Sequence, residues 1–96
     1  MKNTLKANQE HILELGKYPN GQLAVYLEDK NGFPIAELSI MENTLDLKKN
    51  EFIYKDYSEH NDFSQEFLNL DIIKPTNKFV IVGSHLCPIC YIPNYV

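Results

Sequence analysis

Along the first half of the chain apolar residues recur at every second position, and only later does a helical spacing take over. Between His11 and Tyr18 the residues Ile12, Leu13 and Leu15 lead into Tyr18-Pro19-Asn20-Gly21, where the Asn-Gly pair supplies the positive-φ residues of a tight hairpin turn. Leu23, Val25 and Leu27 then alternate with Gln22, Ala24, Tyr26 and Glu28, the period of a half-buried strand, and Asp29-Lys30-Asn31-Gly32 predicts a second turn. From Phe33 to Met41 the set Ala36, Leu38 and Ile40 predicts the core face of a third strand, with Ile35, Glu37 and Ser39 opposite. Pro34 fits only at the start of that strand or on its unpaired edge. Polar residues 42–50 form a loop beneath which Leu45 and Leu47 tuck, and Glu51-Phe52-Ile53-Tyr54-Lys55 is a short fourth strand.

The texture then changes. After the polar turn 56–62, Phe63, Phe67 and Leu70 recur at spacings of four and three, which predicts one helix over 62–71. Asp62 with Gln65 forms a capping-box pattern, and Pro75 bars continuation beyond Lys74. Lys78-Phe79-Val80-Ile81-Val82-Gly83 is a continuous β-branched run, read as a central strand buried on both faces, with a looser strand from Leu86 to Ile92. Residues 1–10 are a polar lead-in, a short helix or an edge extension, and 11–96 form a single domain. The expected class is α+β, an antiparallel meander sheet of five to six strands with one helix packed on one face.

Composition narrows the functions. The 96 residues carry a net charge of −4, and all nine basic residues are lysines, so no guanidinium fork reads a guanine edge and direct nucleic-acid binding is not expected. The chain has no apolar run long enough to span a membrane, and the stretch from Met1 to Lys6 lacks the apolar core of a signal peptide, so a cytoplasmic protein with reduced thiols is expected. Six acids between Glu51 and Asp71 face the single base Lys55, a local charge of −5. A solvated surface is the plain reading of that segment. The sharper one is a docking face for a basic protein partner, with Tyr54, Asp56, Tyr57, Glu59, Asp62 and Glu66 as its contacts.

Candidate chemistry is sparse. Cys87-Pro88-Ile89-Cys90 has the spacing of a redox pair or of two zinc thiolates, with His85 as a third ligand. No helix follows the pair and no fourth ligand is spaced to join it, so ordinary strand cysteines are the expectation and no cofactor is assigned. His11 and His60 stand apart from any marked nucleophile, the four glycines do not build a phosphate loop, and no catalytic residue is assigned.

The order of turn motifs resembles a known family. Leu15-Gly16-Lys17-Tyr18-Pro19-Asn20-Gly21-Gln22-Leu23-Ala24-Val25-Tyr26-Leu27, the Asp-x-x-Gly-x-Pro turn of Asp29, Gly32 and Pro34, Lys55-Asp56-Tyr57-Ser58-Glu59-His60, and Ile73-Lys74-Pro75-Thr76-Asn77 before a Gly-Ser strand together resemble domain of unknown function 4313, over about residues 11–92. Where the family pattern has an aromatic and aliphatic strand around its proline, this chain has Cys87-Pro88-Ile89-Cys90. The resemblance implies a small protein of phages, plasmids and conjugative elements, and it supplies no catalytic residues. The resulting expectation is a non-catalytic accessory protein that binds another macromolecule, with an anti-defence inhibitor of the anti-CRISPR type as its most concrete version. A zinc- or thiol-dependent module at Cys87 and Cys90, and a protein that sequesters a small molecule, are the alternatives. A homodimer through an exposed edge near residues 86–92 is a further expectation.

Overall fold

The computed structural model describes residues 3–7, 9–55, 72–93 and 95. Among them the regular structure is entirely β: β1 (Asn3–Lys6), β2 (His11–Lys17), β3 (Leu23–Asp29), β4 (Pro34–Glu37), β5 (Ser39–Ile40), β6 (Glu51–Tyr54), β7 (Lys74–Val82) and β8 (His85–Tyr91). The strands form two four-stranded antiparallel sheets, ordered β1-β2-β3-β4 and β5-β6-β8-β7. The α+β class, with a helix on one meander sheet, is therefore corrected to an all-β arrangement of two sheets. The helix expected over 62–71 lies outside the described residues.

In the first sheet Leu23, Val25 and Leu27 face the core as their alternation predicts, but β3 is not half-buried, since Ala24 and Glu28 on its other face are buried too. Leu13 and Leu15 on β2 pair with Leu27 and Val25 on β3, and all four point into the core. Residues of the polar lead-in supply an edge, since β1 pairs along β2 with Leu5 opposite Leu13. The β2–β3 connection is the expected tight hairpin turn, but it does not use both Asn20 and Gly21 as positive-φ residues. Gly21 N–H donates to Tyr18 O at 2.8 Å and Tyr18 N–H to Gln22 O at 2.9 Å, which closes a three-residue loop around a Pro19-Asn20 type I turn. Only Gly21, at φ 88°, takes the left-handed conformation; Asn20 instead accepts Gln22 N–H through Oδ1 at 3.0 Å. The Asp29–Phe33 loop repeats this geometry, with Asp29 Oδ1 accepting the amides of Asn31 and Phe33.

The expected third strand is in fact two. Pro34 begins β4 on the open edge of the first sheet, and a bulge lets Glu28 pair with Pro34 while Leu27 pairs with Ala36. At Leu38 the chain leaves one sheet for the other: its N–H donates to Val25 O at 2.9 Å, and its C=O accepts Lys55 N–H at 2.8 Å. Ser39 and Ile40 then pair with Tyr54 and Ile53 of β6. Because the chain crosses between layers here, neighbours Leu38 and Ser39 are both buried, which a single alternating strand does not allow.

The second sheet reverses two expectations. The doubly buried strand is short β6, where Glu51, Phe52, Ile53 and Tyr54 are each at most 5% exposed. The apolar run 78–83 belongs to β7, an edge strand, and leaves Phe79 and Ile81 exposed. The stretch near 86–92, expected as an open edge, is β8, held between β6 and β7. Leu23, Val25 and Leu27 from one sheet meet Phe52, Tyr54 and Cys90 from the other, with Leu38 between them, and the core lies there.

Candidate functional site

One face of three neighbouring strands brings carboxylates together on the first sheet, Glu28 among them buried at 7% exposure. Glu14 lies opposite Tyr26, and Tyr26 opposite Glu37, in one row across the sheet; Ile12, Glu28 and Pro34 form the next row. With strands about 4.8 Å apart, Glu14 and Glu37 flank the tyrosine across roughly 10 Å. Glu14, Glu28 and Glu37 with Tyr26 line a concavity of about 380 Å³ over Pro34 and Ile35. Partial burial raises the Tyr26 phenol above its ordinary value, and the negative charges of Glu37 and Glu14 raise it further. The face therefore offers a neutral aromatic ring between carboxylates. That combination suits a lysine or arginine side chain, which gains both charge attraction and the ring face.

At the rim a directed chain of hydrogen bonds fixes Glu37. Val25 N–H donates to Ser39 Oγ at 2.8 Å, Ser39 Oγ–H donates to Tyr18 Oη at 2.8 Å, and Tyr18 O–H donates to Glu37 Oε2 at 2.5 Å. Burial pushes the Tyr18 phenol well above its ordinary value, and the bond to the Glu37 carboxylate adds to the rise. An unfolded tyrosine ionises near pH 10, so above that pH the unfolded chain loses a proton that the folded chain keeps. Stability is thus full below about pH 10 and declines as pH rises toward the folded value. Tyr18→Phe should remove this share of the decline, which urea midpoints at about pH 8 and about pH 11 would show; an unchanged alkaline slope would dismiss the role of Tyr18.

Of the residues expected to contact a partner, the structure describes Tyr54. Tyr54 is 3% exposed and packs on Phe52 with ring centroids 5.9 Å apart, so it is a core residue and presents no anchor to a partner. Asp56, Tyr57, Glu59, Asp62 and Glu66 lie outside the described residues. Cys87 and Cys90 are buried thiols three positions apart on β8, and a strand's two-residue period turns them to opposite faces. With His85 exposed at the turn, the three do not converge, and among the described residues no group of three or more His, Cys, Asp or Glu is placed to hold a metal. A second concavity, about 430 Å³ beside Pro75 and Tyr91, contains Lys78 and Glu51, whose Nζ and Oε2 are 3.5 Å apart; Glu51 Oε1 also accepts Lys48 N–H at 3.0 Å. There Glu51 is already engaged by the Lys78 ammonium and the Lys48 amide.

Nothing in the sequence marks Glu14, Glu28 and Glu37, because single carboxylates along a strand are ordinary. The signal that finds them is register, which places the three side by side.

Fold and site define an antiparallel all-β domain of two sheets with an acidic concave face, in which no helix among the described residues is long and apolar enough to cross a membrane. The chain matches no family model, no curated protein and no solved structure.

Proposed function

We propose that the protein is a non-catalytic binding protein whose acidic sheet face docks a basic segment of another protein. The observation that carries this reading is the convergence of Glu14, Glu28 and Glu37 around Tyr26 on one concave surface. This face lies on the first sheet, apart in sequence from the acidic 51–71 segment, and it calls for the same class of basic partner. In the anti-defence version, the basic segment lines a nucleic-acid channel of the partner and carboxylates take the place of phosphates there. Small cationic ligands are a second reading, favoured by a concavity whose volume falls within the usual range for ligand pockets.

Titration of labelled protein with a peptide of alternating arginine and leucine tests the docking face. Amide shifts should concentrate on Glu14, Tyr26 and Glu37, affinity should fall steeply with salt, and Glu14→Lys with Glu37→Lys should weaken binding at least about tenfold. Shifts centred elsewhere, or binding that survives the double reversal, would remove the proposal. A small amine such as spermidine that binds the same residues more tightly than the peptide would favour the second reading.

A further inference from the structure

Among the described residues the second sheet ends on β7, whose second half lacks the usual defences of an edge. Over its first half β7 is protected: Pro75 has no N–H to offer, and a bulge falls between Pro75 and Lys78. Asn77 there takes φ 69°, and Thr76 Oγ1 donates to Ile89 O and accepts Lys78 N–H. Beyond Lys78 come Phe79, Val80, Ile81 and Val82, with no charge, proline or bulge among them. Phe79 is 60% exposed, Ile81 69% and Leu86 62%. All three lie on one face, because Ile81 pairs with Leu86 and Phe79 stands two residues before Ile81.

Backbone geometry points the same way. Val82 and His85 flank the two-residue turn Gly83-Ser84, with Gly83 at φ 62°, and so form a hydrogen-bonded pair. Alternation makes Val80 with Cys87 and Lys78 with Ile89 hydrogen-bonded pairs as well. The amides and carbonyls of Phe79 and Ile81 therefore point away from β8, toward the open edge.

We infer that two copies of this chain pair antiparallel through β7, with Val80 on the two-fold axis. In that register Phe79 of each copy lies opposite Ile81 of the other and the two exchange both N–H···O bonds, four bonds in all. Phe79, Ile81 and Leu86 of both copies then merge into one apolar band on a continuous eight-stranded sheet. The same patch meets itself, as a two-fold axis demands.

Charge favours a second copy over an acidic peptide. No Asp or Glu occurs from Ile72 to Val96, so pairing brings no carboxylates together, and Lys78 is already compensated by Glu51 of its own chain. Area sets the strength. The three side chains expose roughly 350 Å² per copy, and with the strand backbone the pair buries on the order of 1,000 Å², the low end for a specific interface, which gives a concentration-dependent dimer.

Sedimentation velocity from micromolar to millimolar protein should show the mass rising from 11.1 kDa toward twice that value. Ile81→Lys, at an exposed position where the monomer loses little, should move the transition at least about tenfold higher in concentration with unchanged circular dichroism. Val80→Cys in a Cys87→Ala background should cross-link to its symmetry mate under mild oxidant, since a non-hydrogen-bonded pair brings Cα atoms to about 4.5 Å. Val82→Cys in the same background should not. A monomer at every concentration, or equal cross-linking at both positions, would overturn the inference; if Ile81→Lys fails to fold, the cysteine pair decides it. None of these measurements involves the acidic face, so failure here leaves the proposed function standing.

Discussion

Leu38→Ala should destabilise the fold by about 3 kcal/mol, with a melting temperature lower by on the order of 15 °C. Leu38 is 1% exposed and stands where the chain passes from the first sheet to the second. Both of its backbone bonds, to Val25 and from Lys55, survive the substitution, so the loss comes from the side chain alone. That side chain belongs to the cluster joining Val25 and Leu27 to Phe52 and Tyr54, and a cavity there separates the two layers at once. Urea unfolding should report a lower midpoint at constant slope. Met41→Ala, three residues on and 41% exposed, should stay within about 0.5 kcal/mol. Equal effects at the two positions would mean that Leu38 does not link the sheets.

Local signals located the first two turns and the core-facing residues of β3. The alternation that placed Leu23, Val25 and Leu27 inward matches the core, and Pro34 sits on an edge as its missing amide requires. What alternation cannot carry is the identity of a strand's neighbour. The run Phe79–Val82 has the composition of a strand covered on both faces, yet nothing local tells whether the cover comes from this chain or another. Cys87 and Cys90 teach the same lesson on a smaller scale. Their spacing suggests shared chemistry on a helix or loop, and the strand that holds them separates the thiols by its pleat. Acidity counted along the chain drew attention to residues 51–71, whereas the carboxylates that converge among the described residues come from three segments separated by turns. Register, set by the two three-residue loops, is the quantity that gathers them, and loop geometry of that kind depends on hydrogen bonds such as those to Asp29 Oδ1 that composition does not reveal.

Ser39→Ala should cost about 2 kcal/mol although it removes a single oxygen. The ladder between β3 and β4 stops at Tyr26 and Glu37, because the chain then peels away toward the second sheet. Val25, fully buried, is left with an N–H that no backbone carbonyl of β4 can reach, and Ser39 Oγ accepts it at 2.8 Å. Alanine strands that amide in the core, and leaving a buried donor unsatisfied costs about 1–3 kcal/mol. The same oxygen donates to Tyr18, so the substitution also loosens the phenol that holds Glu37 at the rim of the acidic face. Tyr18→Phe alone should cost less, about 1 kcal/mol, since it leaves the Val25 bond in place. Because both changes break one connected chain of bonds, the double variant should be less destabilised than the two losses added together, by about 0.5 kcal/mol or more. Hydrogen exchange at the Val25 amide should accelerate in Ser39→Ala and stay slow in Tyr18→Phe. Additive losses with a protected Val25 amide in both variants would show that Ser39 is ordinary buried packing, and that Glu37 keeps its place on the acidic face without it.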